Sequence, residues 1–324
     1  MGEFELIRQY FMPLARLHGP HSILVGPGDD CAVQRVPSDS DLVFSIDTLV
    51  EGVHFPLDYR PDYLGWRALA VATSDLAAMG AEPVSYTLAL TLPEADEAWL
   101  CGLASGLGKA ADAFGLMLAG GDTTRGPLVL SIQVHGLVPR GAAILRSGAR
   151  PGDLVVVSGT LGDAGAALGY LESRSGVDAQ SSFADEAFVL ERYHHPVPRL
   201  GLGAGLRGLA TSAIDISDGL LADLGHILEA SSVGANIERA RVPVSAALTR
   251  LKGVESLDYA LHSGDDYELC ATIPEADWMG APSLLKQQFT VIGVVEAAPG
   301  LRLDGAAVGS ESDAIGFDHF RREL

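Results

Sequence analysis

The sequence predicts a two-domain α/β (α+β) chain, and three observations carry that prediction. Its 324 residues are enough for two separate cores. Strand-type and helix-type segments alternate along it, the pattern of mixed sheet-and-helix layers. The stretch RSGARPGD (146–153) gathers turn formers between two such series and marks a boundary, giving domains 1–148 and 149–324.

Each element follows from its own spacing. Phe4, Ile7, Phe11, Leu14 and Leu17 fall at helical intervals, so the chain opens with an amphipathic helix. LVFSIDTLV (42–50) reads as a strand and 62–80 as a helix whose small residues allow close packing. VSYTLALTL (84–92) is a strand, 94–115 a helix and LVLSIQVHGLV (128–138) a strand. Past the boundary, LVVVSG (154–159) is a buried-type strand leading into a helix over 162–171. The polar run 172–186 reads as an exposed loop. A strand over 211–217, a helix over 218–231 and a strand over 289–295 follow, then a hairpin at 301–308 turned by Asp304-Gly305.

Composition limits the function. Lys plus Arg number 22 against 42 Asp plus Glu, a formal charge of -20, so a phosphate-backbone or anionic-lipid surface is excluded as partner unless cations intervene. Cys31, Cys101 and Cys270 lie far apart, which is neither a disulfide framework nor a thiolate zinc site. Cys31 reads as a small packing residue. The opening MGEFELIRQYF carries acid where a signal peptide needs base, and no apolar run is long enough to span a bilayer. A cytoplasmic protein that binds neither nucleic acid nor membrane is expected.

The chemistry-bearing feature is a recurrent aspartate corner: Asp29 and Asp30 in GPGDD, Asp47 in SID, Asp75 in TSD, Asp122 in GGDTTRG, Asp215 and Asp218 in DISDG. Carboxylates are the hard oxygen ligands that magnesium prefers, and several facing one cleft repel unless cations neutralise them. Taken singly, an Asp beside Gly is a turn residue. That reading is preferred for Asp163, Asp223, Asp304 and Asp313, and Asp218 can be read as a helix N-cap. Turn chemistry does not account for Asp47 inside a strand or Asp75 inside a helix. His54 follows Asp47 on the same strand-and-turn unit. Arg125 and Arg146 are scarce cations beside glycine-rich turns, suited to a phosphate. No Walker A sequence, EF-hand or nucleophile elbow is present. GLGAGLRG (201–208) follows no strand, and His194-His195 reads as surface or packing residues.

The ordered set GPGDDCAV, SIDTLVEGVHF, TSDLAAMGAEP, LAGGDTTRG, ILRSGARPGD, AIDISDGLLADL, SGDDYEL and IGFDHF resembles the thiamine-monophosphate kinases, within the wider aminoimidazole ribonucleotide synthetase-like superfamily. The resemblance covers nearly the whole chain. It implies a homodimer pairing its N-terminal sheets, with an N-terminal domain for ATP, magnesium and dimerisation and a C-terminal domain completing the active site. The implied reaction is transfer of the terminal phosphoryl of ATP to thiamine monophosphate, giving thiamine diphosphate. Carried over by position, Asp30, Ser45, Asp47, Asp75, Asp122, Asp215 and Asp218 belong to the shell of several Mg2+ ions. Gly121, Asp122, Arg146 and Ser217 contact the nucleotide, and His54, Glu268 and Phe317 meet the thiamine side. No catalytic base is implied, because a phosphate acceptor is largely ionised near neutral pH, its second pKa being roughly 6. The alternatives are another ATP-using enzyme of the superfamily, or a non-catalytic calcium- or nucleotide-binding module.

Overall fold

The computed structural model describes residues 3–16, 23–171 and 180–308. The chain divides into two compact units, Met1–Ala143 and Ile144–Leu324. The two-domain α/β reading is borne out, and each unit has its own sheet.

The first unit opens helically, as its spacing predicts, but not as one α-helix. A turn of α1 (Glu3–Leu6) passes into a π-helical turn (Ile7–Phe11) and a 3-10 turn (Met12–Arg16). Leu6, Tyr10, Phe11 and Leu14 are buried. Leu17 lies outside the described residues. A short antiparallel pair, β1 (Ile23–Val25) and β2 (Val33–Gln34), brackets the Asp29-Asp30 corner. The main sheet takes the order β3-β6-β4-β5, from β3 (Ser40–Val50), β4 (Glu82–Leu92), β5 (Met117–Arg125) and β6 (Val129–Pro139). Strands β4 and β5 are parallel, joined through a crossover helix; the other pairs are antiparallel.

Helices α2 (Pro61–Ala78) and α3 (Glu97–Phe114) pack on each other, and α2 covers one face of the sheet. Pro61 at the first helical position starts α2. Asp96 caps α3 by accepting the Trp99 N–H at 2.6 Å, and Gly115, at φ 73°, ends it. The opposite face carries Leu42, Phe44 and Ile46 at 41%, 62% and 62% exposure, an apolar stripe with period two.

The second unit holds a sheet ordered β13-β12-β9-β11-β7-β10-β8. Its strands are β7 (Asp153–Ser158), β8 (Ser212–Asp215), β9 (Gly234–Ile237), β10 (Leu269–Pro274), β11 (Phe289–Glu296), β12 (Gly300–Leu303) and β13 (Ala306–Ala307). All neighbours are antiparallel except β9 and β12. Asp304 and Gly305, at φ 49° and 82°, make the expected β12–β13 turn. The helices are α4 (Asp163–Ala167), α5 (Gln180–His194), α6 (Leu200–Leu206), α7 (Leu220–Ser231), α8 (Ala246–Lys252), α9 (Ser256–His262), α10 (Glu275–Gly280) and α11 (Ser283–Lys286). The core joins Val155, Val157, Ile214, Leu224, Ile227, Ile237, Cys270 and Ile292.

Three expectations are corrected. The run 172–186 is not all loop: from Gln180 it is helix α5, and Asp185 is buried against Arg250 at 2.6 Å. Cys31 is exposed, and Cys270 is the thiol that packs in a core. Asp163 is more than a local turn residue; it is fully buried and accepts the Thr160 and Ser245 hydroxyls at 2.7 and 2.5 Å, the second from 82 positions away.

Candidate functional site

In the first unit, the strand period puts Ser45 and Asp47 on the face of β3 that α2 covers. Asp75, in the last turn of α2, accepts a hydrogen bond from the Ser45 hydroxyl. These three hard-oxygen residues therefore share one side of the sheet. A cross-strand row continues from Asp47 through Ile132 and Leu88 to Gly121. The next row runs Thr48, Ser131, Ala89, Asp122, which puts the exposed Asp122 on the opposite face of the sheet from Asp47. A Cβ on Gly121 would lie 2.1 Å from the Leu88 carbonyl oxygen, so only glycine fits this pairing.

His54 sits in the turn after β3, and its Nδ1 accepts the Val50 N–H at 2.9 Å. With Nδ1 engaged as acceptor, the neutral ring carries its proton on Nε2 and offers a donor there. Asp30 is exposed, while Asp29 Oδ1 accepts the N–H of the next residue, Asp30, at 2.9 Å. Immediately after Asp122, Thr123, Thr124 and Arg125 line a cleft of about 470 Å³ with Leu6 and Leu92–Ala95. Arg125 Nε donates to the Pro93 carbonyl at 3.2 Å.

In the second unit, Asp215 ends β8 buried, in register with Leu269 on β10. Ser217 and Asp218 follow in the turn before α7 and are half-buried. Asp218 does not cap the helix. Gly219 takes the N-cap position, and Asp223 Oδ2 accepts the Ser217, Asp218 and Gly219 N–H groups at 3.0, 3.0 and 3.1 Å. Burial pushes Asp223 up to about 7, with the Asp218 charge adding to the rise and the backbone donors opposing it. Arg146 is exposed near the start of the unit.

Glu268 is fully buried and heavily engaged. Its Oε2 accepts from Ser158 Oγ at 2.5 Å and Arg199 Nε at 2.8 Å, and its Oε1 from Arg192 Nη2 at 2.9 Å and Arg199 Nη2 at 2.5 Å. Burial acts to raise its pKa, but the hydrogen bond and charge of Arg199, then the charge of Arg192, outweigh it and hold the carboxyl below the usual range. Neighbouring Asp266, entirely buried and accepting the Gly162 N–H at 2.7 Å, is pushed the other way by desolvation. Phe317 lies outside the described residues.

Sequence reasoning missed Arg192, Arg199 and Ser158, while its reading of Asp223 as a turn acid that caps local backbone is borne out. The signal for the arginines was present: in a chain with 22 basic residues against 42 acidic ones, two arginines flanking HHPVP demand partners.

The site residues can be set beside known proteins. The model for the N-terminal domain of AIR synthase related proteins matches residues 28–138, and that for their C-terminal domain matches 150–305. The thiamine-monophosphate kinase of Escherichia coli (strain K12) is 46% identical over 98% of each chain. This chain belongs to the thiamine-monophosphate kinase family. The crystal structure of the family member from Stenotrophomonas maltophilia K279a superposes with a TM-score of 0.85 at 42% identity, over 94% of this chain and 97% of that one. AaThiL complexed with AMPPCP and TMP gives 0.79 at 31% identity, over 98% and 97%. The family reading made from the ordered motifs holds.

The family's use of magnesium can be tested against the donors present. Ser45, Asp47 and Asp75 offer one hydroxyl and two carboxylates on one side of β3, and such hard oxygens suit the ion. Among the described residues no three His, Cys, Asp or Glu side chains converge as a ready-made metal cage. That also fits magnesium, which is usually held by one or two carboxylates together with water and substrate phosphates. Among the described residues, no helix is long and apolar enough to cross a membrane.

Proposed function

We propose that this chain phosphorylates thiamine monophosphate with ATP, giving thiamine diphosphate by direct in-line transfer. The carrying observation is similarity along almost the whole chain to kinases of this name, one of them solved with AMPPCP and TMP. The hard-oxygen group Ser45, Asp47 and Asp75 supports the metal-dependent part of the reading.

Residues 1–148 form the ATP, magnesium and dimerisation domain and 149–324 the domain that completes the reaction's residue set. Asp30, Ser45, Asp47, Asp75, Asp122, Asp215 and Asp218 hold several Mg2+ ions. Bound magnesium supplies neutralisation between two mutually repelling phosphates. Gly121, Asp122, Arg146 and Ser217 hold the nucleotide; Ser217 does so through its hydroxyl, because its N–H is committed to Asp223. The bare backbone at Gly121 admits close approach, and Arg146 matches phosphate oxygens with a planar fork of donors. On the thiamine side stand His54, with its Nε2 donor, Glu268 and Phe317. Glu268 acts there as the anchor of Arg192 and Arg199, since among the described residues its carboxylate takes hydrogen bonds from Ser158 and these two guanidinium groups. No side chain needs to remove a proton, because the acceptor phosphate is already ionised.

The protein is a cytoplasmic homodimer, and the Leu42, Phe44 and Ile46 stripe is the face that pairs, being apolar and uncovered within its own unit.

The test is to incubate the protein with ATP, magnesium and thiamine monophosphate and separate the thiamine species. Diphosphate should form, and a chelator should abolish it. ATP hydrolysis without diphosphate would refute the acceptor. Asp47→Ala should lose turnover with its fold intact; a loss of stability with no turnover to lose would mark a structural calcium module instead.

A further inference from the structure

The turn between β8 and α7 is fixed from two sides. On one side lies Asp223, in the first turn of α7 and 2% exposed, with the three successive N–H groups of Ser217, Asp218 and Gly219 on a single carboxylate oxygen. On the other side lies the SGDDYE loop. Asp265 N–H donates to the Ser217 carbonyl at 2.8 Å, Tyr267 N–H to the Ile216 carbonyl at 2.8 Å, and Ile216 N–H to the Glu268 carbonyl at 2.7 Å. Asp265 and Tyr267 hold φ of 69° and 50°, left-handed values that cost energy in a non-glycine residue and persist where the surroundings over-determine them. A Cβ on Gly264 would meet the Ser217 oxygen at 2.1 Å, so the two loops are in direct backbone contact. The DISDG and SGDDYE motifs are therefore one interlocked structure.

Successive N–H groups at a helix start are what proteins use to bind phosphate. Here the three N–H groups leading into α7, those of Ser217, Asp218 and Gly219, are filled by a carboxylate of the same chain. We infer that Asp223 is a positioning residue: it fixes the directions of Asp215, Ser217 and Asp218 and closes the amides of the turn leading into α7 to the nucleotide's phosphates. Residues 217–219 then meet phosphate through the Ser217 hydroxyl and through cations, not through their amides. The inference rests on the proposed placement of those three residues in the magnesium–nucleotide site. It explains why an acidic, phosphate-handling loop carries a further buried acid five residues beyond Asp218. Without that acid, the amides would compete with cations for the phosphate, and the neighbouring carboxylates would be left loosely directed.

Asp223→Asn and Asp223→Ala separate positioning from charge. Asparagine's carbonyl oxygen can accept the same N–H groups; alanine accepts none. Three quantities are read: amide exchange at residues 217–219, the rise in Tm caused by magnesium plus AMPPCP, and the magnesium concentration giving half-maximal diphosphate formation. Asp223→Ala should exchange these amides at least tenfold faster, lose most of the ligand-induced rise and need at least tenfold more magnesium. Asp223→Asn should stay within about threefold of wild type. Asp223→Ser, which can still accept one N–H, is read by the alanine criteria if the alanine variant does not fold. A folded Ala or Ser variant with unchanged magnesium dependence overturns the inference, as does an Asn variant as impaired as Ala. Wild-type protein that forms no diphosphate refutes the proposed function itself; active wild type with unmoved variants refutes only the role of Asp223.

Discussion

Replacing Glu268 with glutamine tests the buried charge network of the second unit. The carboxylate is 0% exposed and takes hydrogen bonds from Ser158, from Arg192 and twice from Arg199. The two arginine side chains are only 16% and 27% exposed, so solvent does not replace what they lose. A glutamine fits the space but presents one amide N–H2 to guanidinium donors and removes the charge that both arginines share, Arg192 keeping Asp163 at 3.9 Å. Removing one partner of a buried pair costs about 3–5 kcal/mol. In a unit of this size each kcal/mol lowers Tm by roughly 2–4 °C, so a fall on the order of 10 °C is expected.

The pH dependence supplies the sharper check. Glu268's folded pKa is held below its ordinary value of 4.5, so its stabilisation is complete above that value and disappears as pH falls through the folded one. Asp266 has the opposite sign: its pKa is raised, so its contribution is present below the ordinary 3.8 and is lost as pH rises through the folded value. Glu268→Gln should therefore cost most at pH 7 and progressively less below pH 4.5, where the wild-type carboxyl also takes up a proton. Urea unfolding followed by circular dichroism and by tryptophan fluorescence at both ends of this range gives the difference. A cost under about 1 kcal/mol at pH 7, or a cost independent of pH, would refute the reasoning.

Gly121→Ala places a methyl 2.1 Å from the Leu88 oxygen, so the β4–β5 edge must open; a loss of about 1–3 kcal/mol is expected in chemical denaturation, with ATP binding weakened by calorimetry. Cys31 and Cys101 are exposed and Cys270 is buried with its thiol pKa pushed far up, so a thiol reagent should titrate two groups in the native protein and three only after unfolding. Phe44→Glu combined with Ile46→Glu puts charge on the uncovered stripe of β3; light scattering should then report the monomer mass of 33.9 kDa, where the proposed dimer gives twice that for the unaltered chain.

The elements legible in the sequence are those whose burial has a clean period. Strands β3, β4 and β6 and helices α2 and α3 alternate or recur as one-sided elements should, and they were read within a few residues. Strand β5 was missed because GGDTTR at its exposed end is glycine-rich and polar; its pairing with β4, not its side chains, makes it a strand. Helix α5 was hidden for a related reason. Its opening QSSFADE reads as loop, yet Asp185 is held by Arg250, a residue 65 positions away. Pairing at that range leaves no periodic trace.

The same limit governs the aspartates. Sequence places carboxylates on corners but does not say which way they face, and the structure separates two populations. Asp163, Asp223 and Asp266 turn inward onto hydroxyls or backbone N–H groups, where each replaces water that a buried loop cannot reach. Asp30 and Asp122 are exposed, and Asp75 accepts the Ser45 hydroxyl on the β3–α2 face. In a chain of formal charge -20 the inward group must be neutralised internally, by scarce arginines, by donors or by proton uptake. The outward group draws its counter-charge from solution. That division makes the inward acids determinants of loop shape and the outward ones the natural place for dissolved cations to enter the chemistry. Asp223 bears on both populations, since it is an inward acid whose partners are the amides of the turn that the proposed function gives to the magnesium–nucleotide site.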